Sequence, residues 1–203
     1  MKTLIERCCL LLLASLACVG GVRAEGKPAV KAEVRPNARL DTRAPEDTVR
    51  AFYTWVIAHP SSALPAPRTR APLMPLLSPE LARWISEAMA TEARCVKAAP
   101  KNEKPLIVEG DIFVGNYEGA SEVAYGTLRR DGEVAEIEAD LMYVDRRHSK
   151  AHRHRAVAWK DTLDLRLVGE RWLVQNMRYA QGNSLSANLQ AYITEAARVC
   201  GAP

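Results

Sequence analysis

The chain has 203 residues, 48% of them hydrophobic and 26% charged, with 12 prolines and 11 glycines. That composition excludes collagen-like, low-complexity and wholly disordered chains, and the length fits one domain of roughly 150 residues with additional segments. Lys and Arg number 28 against 24 Asp and Glu; the first 24 residues hold three of the bases and one of the acids, so the remainder carries 25 against 23, too balanced for a nucleic-acid binder.

Met1 to Ala24 reads as a secretory signal peptide. Lys2 and Arg7 give a charged start, Cys8 to Val19 is apolar apart from Ser15, and Val22-Arg23-Ala24 offers small residues for cleavage after Ala24. A membrane anchor is disfavoured by Gly20-Gly21 and Arg23. Lipidation at Cys18, which would tie the protein to a membrane, is disfavoured by Ser15, where a large aliphatic residue is usual. The expected location is the periplasm or the exterior. Cleavage removes Cys8, Cys9 and Cys18 and leaves Cys95 and Cys200, which in an oxidising compartment most simply form one disulfide. Closing so long a loop is credited with about 4–5 kcal/mol on the chain-entropy model.

Residues 25–43 mix charge with Pro28 and Pro36 and read as a flexible leader, so that 44–203 forms a single domain. A first helix is expected over 45–58, opened by Pro45, Glu46 and Asp47, with Val49, Phe52, Tyr53 and Val56 as its apolar stripe and Pro60 after its end. Residues 60–77 hold Pro60, Pro65, Pro67, Pro72 and Pro75 and are expected to be neither helix nor central strand. A second helix opens with Ser78 as N-cap and Pro79 at its first position, buries Leu81, Trp84, Ile85, Ala88 and Met89, and fades before Pro100. The period then changes to two. Strands are expected over 106–114, 122–129, 133–144, 156–168 and 171–179, with hairpins at Asp131-Gly132 and Gly169-Glu170. Ala135, Ile137, Ala139, Leu141 and Tyr143 face one side, and Glu136, Glu138 and Asp140 the solvated other. Asn183 or Ser184 caps a last helix with Leu185, Leu189, Tyr192, Ile193 and Ala196 as its stripe. The expected class is α+β: two N-terminal helices, a curved antiparallel sheet of about five strands and a C-terminal helix.

This order resembles the cone-shaped nuclear-transport-factor-like (cystatin-like) superfamily, and within it a bacterial exported domain-of-unknown-function family, number 3828. The resemblance rests on Pro45-Glu46 through Val49-Arg50-Ala51-Phe52-Tyr53-Thr54-Trp55, Leu77-Ser78-Pro79-Glu80-Leu81, Glu109-Gly110-Asp111-Ile112-Phe113, Trp159-Lys160-Asp161, Gly169-Glu170-Arg171-Trp172, and Met177-Arg178-Tyr179 followed by Ser184-Leu185. It implies a cone fold over 44–195 and brings no catalytic residues. Relatives in the wider superfamily bind small molecules in the mouth of the cone, and some are enzymes.

Compact catalytic and phosphate-binding signatures are absent from the sequence, and no cofactor is expected. Three of the four histidines fall in the stretch from Asp145 to Arg155, an expected hairpin tip. His148, His152 and His154, with Asp145 as a fourth ligand, form a candidate metal set. Arg146, Arg147, Lys150, Arg153 and Arg155 set five positive charges around it, which favours an anionic protein, lipid headgroup or polyanion over a cation. Asp161 falls where alternation calls for an apolar residue, on the face of Trp159, Leu163 and Leu165; buried there, its pKa would rise, as in a general acid or base. Asp111, beside Gly110, and Asn176, between Val174 and Arg178, are the other candidates to line a cone mouth. The expected function is a non-catalytic exported binding domain for a protein or small ligand, of which an envelope immunity or inhibitor protein is one form. The alternatives are a cofactor-free isomerase or hydrolase using Asp161 or Asp111, and metal or polyanion capture through the 145–155 loop.

Overall fold

Among the described residues helical and extended segments alternate little: three α-helices come first, four strands follow, and one more helix comes after them. The computed structural model describes residues 44–60, 63–145 and 156–201, all within one compact unit, Lys31–Pro203. The expected signal peptide, the leader over 25–43 and the basic residues Arg146, Arg147, His148, Lys150, His152, Arg153, His154 and Arg155 lie outside the described residues.

Helix α1 spans Pro45–Ala58, with Pro45 at its start and Glu46 and Asp47 in its first turn. Helix α3, Pro79–Ala98, is capped by Ser78, whose Oγ accepts the Leu81 amide at 3.2 Å. Helix α4, Leu185–Cys200, is capped by Ser184, whose Oγ accepts the Ala187 amide at 3.3 Å. The proline-rich connection holds a one-turn helix, α2 (Pro67–Arg70), and a 3₁₀ turn over Met74–Leu76, which corrects the expectation that it excludes helix. Pro67 stands at the first helical position and Pro75 within the first two, where a proline loses no hydrogen bond. The Trp55 indole ties this connection to α1 by donating to the Thr69 carbonyl at 3.1 Å.

Strands β1 (Glu122–Asp131), β2 (Val134–Val144), β3 (Ala156–Val168) and β4 (Arg171–Arg178) form one open antiparallel sheet in sequence order. Gly132 and Gly169, at φ of 55° and 64°, begin the two-residue hairpin loops. The first loop is therefore Gly132-Glu133, one residue beyond the expected position. Ala135, Ile137, Ala139 and Leu141 on β2, and Asp161, Leu163 and Leu165 on β3, are buried on one face. Val49, Phe52, Tyr53 and Val56 of α1 and Leu81, Ile85 and Ala88 of α3 join these apolar residues in a single core. The other face carries a charge ladder in which Arg178 bridges Glu136 and Asp164, each at 2.8 Å, and Lys160 bridges Glu138 and Asp140 at 3.1 and 3.3 Å.

The fifth expected strand, over 106–114, does not form: among the described residues the sheet has four strands, and residues 99–121 run as an irregular connection. Side chains stand in for a ladder along it. The Tyr192 hydroxyl donates to the Leu106 carbonyl at 3.2 Å, Glu92 accepts the Val108 amide at 3.3 Å, and the Tyr179 hydroxyl donates to the Ile112 carbonyl at 2.6 Å. Backbone groups leaving water need partners of some kind, and the apolar residues that looked like a strand bury themselves without one. Cys95 and Cys200 are joined in a disulfide, Cα to Cα 5.1 Å apart across 105 residues, which fastens the C-terminal ends of α3 and α4. No helix among the described residues is long and apolar enough to cross a membrane.

Candidate functional site

Residues 110–119 fold into a strap that meets the sheet at Asp161 of β3. Within it, Asp111 Oδ1 accepts the Phe113 amide at 2.8 Å, the Asp111 amide donates to the Tyr117 carbonyl at 3.1 Å, and the Gly119 amide donates to the Asn116 carbonyl at 3.0 Å. Phe113 and Val114 leave the strap and enter the core, 1% and 3% exposed. The Phe113 ring meets Phe52 and Trp55 edge to face, with centroids 5.9 and 5.6 Å apart.

Beneath the strap lies Asp161, 1% exposed. Its Oδ2 accepts the Gly115 amide at 2.7 Å and the Trp159 indole N–H at 2.9 Å, and its Oδ1 accepts the Ala180 amide at 3.1 Å. Both oxygens are thus occupied, and the carboxylate joins three pieces of chain: β3, the strap and the turn after β4. Burial pushes the carboxyl above the usual range, against the three donors that pull it down. Gly115 is needed for this close approach, because a Cβ there would stand 2.6 Å from Asp161 Oδ1. Gln181 adds a bond from its Nε2 to the Gly115 carbonyl at 2.7 Å.

Tyr53 and Tyr179 lie near this carboxylate, and Tyr125 lies against Tyr53 with ring centroids 6.4 Å apart. Tyr179 anchors the strap at Ile112, and burial, then Asp161 and Asp111, raise its pKa. Tyr125, with the Arg50 guanidinium 5.5 Å from its ring centroid, is pushed up by burial and pulled down by that charge. Tyr53 is fully buried, and its hydroxyl has no hydrogen-bond partner among the described residues. Burial and then Asp161 push its phenol well above the ordinary tyrosine value, so it is a neutral donor at any physiological pH.

The sequence candidates divide accordingly. Asp161 and Asp111 come together around Tyr53 and Tyr179. Asn176 does not join them: it pairs with Asp164 across a bulge, and its Oδ1 accepts the Ser186 amide at 3.1 Å in the first turn of α4. Asp164, on the charged face, is raised by burial against the pull of Arg178. Asp145 is buried at the end of β2. His148, His152 and His154 lie outside the described residues, and no group of three His, Cys, Asp or Glu among the described ones is placed to hold a metal. Clefts of about 370 Å³, between Arg129, Glu136, Asp164 and Gln175, and about 330 Å³, between Leu64, Met89 and Val96, lie apart from the strap.

Sequence reasoning found Asp161 and missed its partners. Tyr53 was absorbed into the apolar stripe of α1, although a buried phenol calls for a partner. That call for a partner is the signal that could have singled it out. Gly115 and Ala180 contribute backbone amides, which no residue type announces. The chain was compared with known proteins, and no family model, curated protein or solved structure matches it.

Proposed function

We propose that this is a non-catalytic exported binding domain of the cone type, similar to family 3828, whose partner meets the far end of the β2–β3 ribbon. The carrying observation is the length of that ribbon. Pairing of β2 with β3 runs out to Val144 and Ala156, whereas β4 stops at Arg178, opposite Thr162. Among the described residues, Ala156 to Asp161 therefore have no strand on that side, and the ribbon projects with Val157 48% exposed and Trp159 and Tyr143 half-buried. It leads directly into the segment with five bases and three histidines between Arg146 and Arg155. An anionic partner, protein or polyanion, suits that end, and electrostatic steering would act over about 8–10 Å at physiological salt.

The occupancy of Asp161 supports the non-catalytic part of this reading, since an acid or base must be free to meet its substrate. The enzyme reading keeps one observation in its favour, the raised carboxyl of Asp161 close to Tyr53. Heparin affinity of the secreted protein tests the proposal. Binding that weakens with salt, and is lost when Arg146, Arg147, Arg153 and Arg155 are replaced by serine, supports it. A tight stoichiometric zinc or copper isotherm that vanishes in the triple alanine variant of His148, His152 and His154 would replace it with metal capture.

A further inference from the structure

We propose that the charged face of the sheet carries a binding site for a free α-amino acid with an apolar side chain, set in the cleft between Arg129, Glu136, Asp164 and Gln175. This goes beyond the basic ribbon end and does not depend on it.

Three observations carry the inference. First, the cleft has a volume of about 370 Å³. Small-molecule sites run from about 300 to 1,000 Å³, so its occupant is small. Second, strand register sets charges of both signs in a row across it. Arg129 on β1 is the Cα partner of Glu136 on β2, Glu136 that of Asp164 on β3, and Asp164 that of Asn176 on β4. Side chains at paired positions share a face, and neighbouring strands stand about 4.8 Å apart. Third, β4 bulges at this row. Asn176 opposes Asp164 and Val174 opposes Leu165, so Gln175 is the extra residue. A bulge re-aims a side chain, and Gln175 lines the cleft.

The charges in the row are unevenly matched. Two carboxylates, Glu136 and Asp164, share Arg178, which lies 2.8 Å from each. Both bonds from Arg178 to Asp164 end on Oδ1, so Oδ2 can accept from a ligand. Burial, with the Glu136 charge beside it, holds the Asp164 carboxyl up against the pull of Arg178, and a further cation would relieve it. Arg129 is held loosely, its guanidinium 3.8 Å from Glu136 and 3.9 Å from Glu138, beyond hydrogen-bond length. Its neighbour Arg130 is turned to the Trp172 ring, 4.8 Å from the centroid. Val134, 50% exposed, adds an apolar wall. An amino acid answers each of these features. Its ammonium meets Asp164 and Glu136, its carboxylate meets Arg129, and its side chain lies on Val134, while Gln175 supplies a neutral hydrogen bond.

L-Leucine serves as the probe, followed by chemical-shift titration of the intact protein. The controls are 3-methylbutylamine, which lacks the carboxylate, and 4-methylpentanoate, which lacks the ammonium. Leucine should bind saturably, shift the amides of Arg129, Glu136, Asp164 and Gln175, and bind about tenfold more tightly than either control. Arg129→Gln and Asp164→Asn should each weaken leucine about tenfold, the loss of one charge-assisted hydrogen bond. Arg129→Gln should leave 3-methylbutylamine unaffected, and Asp164→Asn should leave 4-methylpentanoate unaffected. Gln175→Ala keeps every ion pair of the row and should still weaken leucine about threefold, which guards against rearrangement in the other two variants. The proposal is overturned if leucine shifts no amide of the cleft, if either control binds as tightly as leucine, or if the three variants bind leucine like the native chain.

Discussion

The α3–α4 pair and the 110–119 strap are both laid over the core without strand pairing of their own, yet they are held in opposite ways. The helix pair is closed by a covalent bond between Cys95 and Cys200. The strap is closed by a carboxylate, Asp161, that gathers N–H groups from Gly115, Trp159 and Ala180. One closure constrains the unfolded chain and is insensitive to small local changes; the other exists only in the folded state and yields to a single atom. The difference bears on local stability: losing a single hydrogen bond should loosen the strap before it loosens the helix layer.

The largest effect is expected from breaking the covalent side. Cys95→Ser with Cys200→Ser should lower stability by about 4–5 kcal/mol on the entropic model. Thiol titration of denatured, unreduced native protein should find no free thiol from this pair, and two free thiols would remove the contrast. Phe113→Ala comes next, at about 3–5 kcal/mol if the core cannot collapse into the space, read by denaturant melts. A smaller loss would show that Phe113 is loosely seated, which sharpens the contrast in the strap's disfavour.

Asp161→Ala removes the acceptor for three donors and should cost about 2–4 kcal/mol at neutral pH, with exchange rising first in the strap. Its pH dependence has a definite sign. Because the folded carboxyl is raised above the ordinary value of 3.8, the folded state takes up a proton before the unfolded chain does. The extra stability that protonation of this group adds is therefore fully present below 3.8 and is lost as pH rises through the raised folded value. The melting-temperature deficit of Asp161→Ala should accordingly widen in acid; a deficit that narrows there contradicts the assignment. The smallest effect belongs to the charged face of the sheet. Arg178→Ala breaks two exposed ion pairs, with Glu136 and Asp164, and should cost less than about 1 kcal/mol.

Much of this architecture was legible in the residues. Proline at the first position with acids behind it fixed the start of α1, and Ser78 and Ser184 marked the starts of α3 and α4. Strict alternation placed β2, and the one residue that violated alternation on β3 was Asp161, the centre of the candidate site. The failures share a cause. Leu106 to Val114 had the composition of a strand, but burial there comes from Phe113 and Val114 entering the core, and side chains of Glu92, Tyr179 and Tyr192 satisfy the backbone. Contacts between residues 46 apart, such as Gly115 with Asp161, leave no periodic trace. Tyr53 fits an apolar stripe equally well with or without its hydroxyl, so its unpaired oxygen is visible only in three dimensions.

Hydrogen exchange at one amide tests most directly whether Asp161 is the latch. The Gly115 N–H has a carboxylate oxygen of Asp161 at 2.7 Å as its acceptor. It should be protected in the native protein and should lose that protection in Asp161→Asn when the strap loosens, while Ile137 and Leu163 amides in the sheet keep theirs. A Gly115 amide that exchanges freely in the native protein, or stays protected in Asp161→Asn, would contradict the account.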